Sequence, residues 1–157
     1  PAAAIGVALD VPVMRPNIAV FGQASWTKTR RHPKLVQAIK GTAQGAGMVS
    51  RQEFADFFEL QEVLVGAGFA NSAKPGQTVS LARVWGKHAA FLYRDRAAGP
   101  QAGVTFGFTA QAGGKVSGNI DEPKIGLKGA QLVRVGERVK EVIAATDLGY
   151  WFQNAVA

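Results

Sequence analysis

Apolar residues in this chain come in short clusters broken by glycine and polar turns, not in one long helical stripe. Arg15, Pro16 and Asn17 read as a turn that leads into an apolar run at 18–21 (IAVF), closed by Gly22, which predicts a short strand. A helix is expected over 24–31, with Trp26 turned inward. Pro33 suits the first turn of a new helix, whose Leu35, Val36 and Ile39 share a face and whose stop is Gly41. The segment 41–47 (GTAQGAG) reads as a flexible connection. Ser50 and Glu53 then match the S-x-x-E capping box, with Phe54, Phe57 and Phe58 following at helical spacing to about Leu60.

Beyond that point the pattern turns to strand. Residues 62–69 (EVLVGAGF) read as one strand with a glycine-rich bend, and 71–77 as a surface loop. The runs 89–93 (AAFLY) and 104–109 (VTFGFT) are strand-like. The stretch 115–129 reads as a long polar connection, and 132–145 as a strand bent or bulged at Gly136. The tail 147–154 is expected to be a loop or one helical turn. No period of 20–50 residues appears, which excludes a solenoid or propeller. Two helical stretches in a strand-rich chain give an α+β class.

Composition changes the picture in three ways. At 157 residues, with 47% hydrophobic and 18% charged residues, the chain can bury a core. It has no cysteine, which excludes disulfides and thiolate metal sites and is compatible with a reducing compartment. No apolar run is long enough for a membrane span, and the opening residues lack the basic region of a signal peptide. Net charge is +7, and the surplus lies in residues 1–50, where six Lys/Arg face Asp10 alone. It centres on Lys28, Arg30, Arg31, Lys34 and Lys40. Such a cluster suits phosphates, an acidic neighbour or water. No aromatic interleaves with the cations to stack bases, since Trp26 reads as core.

Catalytic patterns are missing. His32 and His88 are the only histidines and lie in no metal spacing. Ser25, Ser50, Ser72, Ser80 and Ser117 lie in no G-x-S-x-G elbow. Asp121 and Glu122 are adjacent, so extended chain points them to opposite faces. GTAQGAG and AGGKVSG lack the Lys-Ser/Thr of a phosphate loop. No enzyme, cofactor or metal is expected. The chain instead ends on Tyr150, Trp151 and Phe152, an aromatic run where chain ends are usually polar and frayed.

The ordered blocks RPNIAVFGQASWTKTRRHPKLVQAIKG, EVLVGAGFANSAKPGQ, VWGKHAAFLYR and DLGYWFQNAV carry a resemblance. Pro16, Asn17, Gly22, Trp26, Gly66, Trp85, Gly86 and Gly149 are among the residues that bear it. Together the blocks resemble the C-terminal half of tailed-bacteriophage major capsid proteins. The resemblance implies the tailed-phage major capsid fold, incomplete at its N-terminus. It implies a connection at 1–14, an axial-type domain over 15–95 and 143–157 with a sheet between helices, and peripheral-type strands and loop over 100–142. It also implies a shell subunit that self-assembles into pentamers and hexamers around double-stranded DNA, in contact with scaffold or portal proteins. Its place would be the virion capsid, and the host bacterial cytoplasm during assembly. Trp26, Trp85, Tyr150, Trp151 and Phe152 would be packing anchors, and the five cations would meet DNA or a neighbouring subunit. The alternatives are an encapsulin-like compartment subunit and a small basic domain that binds nucleic acid without sequence preference.

Overall fold

A computed structural model describes residues 2–41, 45–99 and 101–156. Its helices are α1 (Ala2–Asp10), α2 (Gln23–Thr29), α3 (Pro33–Lys40) and α4 (Arg51–Phe58). Its strands are β1 (Ile18–Gly22), β2 (Glu62–Gly66), β3 (Phe69–Asn71), β4 (Leu81–Arg83), β5 (Ala89–Leu92), β6 (Gly107–Gln111), β7 (Val116–Glu122), β8 (Ala130–Gly136), β9 (Val139–Ile143) and β10 (Gly149–Phe152). The chain divides into two compact units. One combines Pro1–Phe106 with Ala145–Ala157, and the other is Gly107–Ala144.

The first unit is built on a four-stranded sheet in the order β10-β5-β1-β2. β1 and β2 run parallel, and the other two pairings are antiparallel. A parallel pair needs a crossover, and α2, α3 and α4 supply it. Pairing places side chains in cross-strand rows. Tyr150, Phe91, Ala19 and Val63 form one row, and Phe152, Ala89, Phe21 and Val65 the next on the same face. All four helices cover that face and bury Ile5, Leu9, Trp26, Leu35, Val36, Phe54 and Phe58 against it. Phe21 meets Trp26, Phe54 and Phe91 with ring centroids 5.5–5.8 Å apart, two of the three edge-on. Each such ring contributes roughly 1.5–3 kcal/mol by burial, plus about 0.5–1.5 kcal/mol per well-placed aromatic pair.

The opposite face carries the row Trp151, Ala90, Val20 and Leu64. No helix among the described residues lies on it; Trp85 and Leu92 pack there instead. The resemblance had implied a sheet between helices, and here the helices stand on one side only. Asn17 ties three strands at their ends. Its backbone N–H donates to the Leu92 carbonyl and its carbonyl accepts from the Gln61 N–H. Its side-chain amide donates to the Arg94 carbonyl and accepts from the Arg94 N–H, both at 2.8 Å.

The second unit is two antiparallel ribbons, β6 with β9 and β7 with β8. No described residue of Gly107–Ala144 is buried. The ribbon therefore has no core of its own.

Several expectations are corrected. The stretch 1–14 is not simply a connection. Ile5, Ala8 and Leu9 lie at helical spacing and are buried, so α1 is part of the first unit. Residues 62–69 are two strands in different sheets, because Ala67 and Gly68 interrupt the pairing after Gly66. In 104–109 the strand starts only at Gly107, since the Phe106 N–H is spent on the Tyr93 carbonyl. The polar stretch 115–129 contains β7, in which no residue is buried on either face. Residues 132–145 hold two strands, β8 and β9, separated after Gly136. The tail, expected as a loop or one helical turn, has one 3₁₀ turn at Thr146–Leu148 but then continues as β10. The helical segments expected over 24–31, from Pro33 and after Ser50 are present as α2, α3 and α4, and α1 is an additional helix among the described residues. Within the connection expected at 41–47, residues 42–44 lie outside those described.

Candidate functional site

The five cations stand on and between α2 and α3. Lys28, Arg31, Lys34 and Lys40 are exposed, and Arg30 is half-buried. Lys40 reaches Glu53 at 3.4 Å across to α4. The Arg30 Nε is buried without a hydrogen-bond partner among the described residues, while its carbonyl accepts from the Val49 N–H at 2.9 Å. α3 begins at Pro33, whose missing N–H costs nothing at a helix start, and ends at Gly41 in the left-handed region (φ 66°). The two short helices thus display four of the five charges on one continuous stretch of surface chain.

The aromatic anchors divide into two groups. Trp26 is 2% exposed and belongs wholly to the core. Tyr150 and Phe152 pack against that same core, 4.9 Å apart. Trp85 and Trp151 lie on the helix-free face, 6.2 Å apart, and His88 stacks on Trp151 at 5.1 Å with the rings 27° from parallel. Trp151 remains 52% exposed. This platform is held from three sides. A Cβ on Gly66 would run into the Trp85 indole, and one on Gly22 into the Gly86 carbonyl, so both paired glycines make room for the turn that carries Trp85. The Asn154 N–H donates to His88 Nδ1 at 3.2 Å, and the Ala155 N–H to the Lys87 carbonyl at 2.9 Å.

Trp26 faces inward, as its place in an otherwise polar helix predicts, whereas the resemblance implied no more for the tail aromatics than a role as packing anchors. The sequence pattern does not separate Trp151 from its neighbours, because alternation matters only once the tail is known to be a strand. Asn17 was read only as part of a turn, although its position after Pro16 in front of an apolar run was the available signal. Phe57 was grouped with Phe54 and Phe58, yet it faces outward and is 45% exposed.

Catalytic geometry does not assemble among the described residues. No group of three or more His, Cys, Asp or Glu side chains is placed to hold a metal. An apolar cleft of about 100 Å³ lined by Ile5, Phe21, Phe91 and Phe152 contains no titratable side chain. Asp121 and Glu122 occupy consecutive positions of β7, and Asp121 accepts a hydrogen bond from Gln131 at 3.1 Å.

A pre-set, half-open aromatic platform and a ribbon without a core are surfaces of the kind that subunits bury against neighbours. The comparisons with known proteins make this class specific. No protein-family model matches the chain. Over 150 residues, 96% of its length, it is 52% identical to the major capsid protein of Pseudomonas phage JBD67. Over 142 residues, 87% of its length, it is 25% identical to the major capsid protein of Burkholderia phage BcepMu. The chain spans about half the length of these relatives, 48% and 43%. The fold superposes with a TM-score of 0.78 on a phage-related protein from Bordetella bronchiseptica RB50, solved by crystallography at 2.05 Å, at 20% identity over 99% of this chain and 50% of that one. The chain is a relative of bacteriophage major capsid proteins.

Proposed function

We propose that this chain is a structural subunit of a phage or prophage capsid shell, acting by self-association and not by catalysis. The observation that carries this is the 52% identity to a major capsid protein, sustained along nearly the whole chain. In this reading the fold is the tailed-phage major capsid fold. The first unit, α1 included, is the axial-type domain, and the ribbon unit is the peripheral-type strands. Copies meet in pentamers and hexamers through heterologous contacts that close by rotation.

The unburied ribbon supports this reading, because isolated two-stranded ribbons are marginal in water until something packs on them. The cations at Lys28, Arg31 and Lys34 face packaged double-stranded DNA or an acidic neighbour, with Arg30 and Lys40 beside them. Scaffold and portal proteins would be further partners, the virion capsid the final location and the host cytoplasm the place of assembly. Gradient-purified particles from an induced host culture test the proposal by quantitative mass spectrometry. Peptides of this chain should be among the most abundant in the DNA-containing fraction. Their absence from that fraction, with the chain expressed in the lysate, contradicts the shell role. Their presence in particles that hold enzymes instead of genome would select the compartment alternative.

A further inference from the structure

The half-open platform has a counterpart of matching chemistry among the described residues of the same unit. The platform offers an exposed indole, Trp151, over a supporting indole, Trp85, with the exposed Lys87 next in sequence to the His88 that stacks on Trp151, and Leu64 38% exposed along the same cross-strand row. On α4, Phe57 points outward next to the carboxylates of Asp56 and Glu59, all three exposed. Gln52 donates to Asp56 at 2.7 Å, and Arg15 pairs with Glu59 at 3.0 Å, leaving the corner with a net negative charge.

These two patches cannot meet within one chain. Trp151 is on β10, at one edge of the sheet and on its helix-free face. α4 packs beside β2, at the other edge and on the helix-bearing face. Two complementary patches on opposite sides of one unit define a head-to-tail contact, which repeats from copy to copy and closes when the rotation allows. We infer that the Trp151 platform of one copy receives the corner formed by Asp56, Phe57 and Glu59 of a second copy. This rests on the shell-subunit reading. Phe57 stacks on the indole and shields it from water, and Lys87 meets the carboxylates. The glycines at 22 and 66 then have a purpose beyond fit: they fix Trp85, and through it Trp151, before the partner arrives, which lowers the ordering cost of binding.

The chain has no cysteine, so introduced pairs report contacts cleanly. Asp56→Cys chains and Lys87→Cys chains, which keep both rings, are mixed, oxidised and run without reductant. The inference expects a disulfide dimer in the mixture and not in either variant alone, since only facing residues come within bridging distance. Lys87→Glu, an exposed change that leaves the core untouched, should weaken association measured by sedimentation by roughly tenfold or more. Asp56→Lys on the partner chain should restore it. If the unmodified chain associates but the mixture cross-links no better than the single variants, the head-to-tail assignment is overturned while the shell reading stands. If the unmodified chain stays monomeric at every concentration, the assignment is overturned, while the shell reading is decided by the native gene product.

Discussion

At the scale of single residues, the most exacting positions are two glycines. Gly22 and Gly66 face each other across β1 and β2, and neither has room for a methyl group beneath the turn at Trp85 and Gly86. Gly66→Ala should therefore destabilise the protein by about 1–3 kcal/mol, the usual cost of overpacking. The Trp85 ring should also shift, which tryptophan fluorescence would register as a change in the folded baseline. Phe54→Ala tests the core directly. The ring is fully buried against Phe21, Trp26 and Phe58, and its loss should cost about 3–5 kcal/mol in urea melts. Burial of Trp26 was legible in the sequence because the helix around it is otherwise polar. The purpose of Gly66 was not, because the ring it admits lies nineteen positions further along the chain.

Among the elements, α4 was the most fully legible. Its capping box is present in both directions: the Glu53 N–H donates to Ser50 Oγ at 3.1 Å, and the Ser50 N–H donates to Glu53 Oε2 at 2.7 Å. Ser50→Ala should cost about 0.5–2 kcal/mol. The Ser50 backbone N–H, with smaller help from the Ser50 hydroxyl and Lys40, holds the Glu53 carboxyl below its ordinary value of 4.5. A lowered folded-state value means stability that is complete above that ordinary value and lost as the pH falls through the folded one. Glu53→Gln keeps the cap but removes the charge, so it should flatten the acid limb of a stability-against-pH curve measured by denaturant melts. The strands were less legible. Alternation identifies a strand only when one face is dry, and β7 is wet on both. β10 was hidden differently: its run of Tyr150, Trp151 and Phe152 carries no alternation until the pairing with β5 assigns Trp151 to one face and its neighbours to the other.

For the whole molecule, the contrast between the units governs behaviour. The first unit holds every buried apolar side chain described, while Gly107–Ala144 holds none. Amide exchange in the free chain should be fast throughout β6–β9 and slow in β1 and β5, with the ribbon gaining protection only on assembly. Ribbon amides as slow as those of β1 in the free chain would show that it is stable without neighbours. The overall class was readable from a series of blocks in a fixed order, none of them sufficient alone. The candidate contact surface was not, because it depends on which side of a sheet each tail residue occupies.

The central claim is that this chain belongs in a shell. Negative-stain electron microscopy of the native gene product, with any upstream coding sequence included, beside this chain alone, tests it most directly. Closed shells or capsomer rings from the native product are the predicted result. Monodisperse single copies from both, at high concentration and across salt, would contradict it.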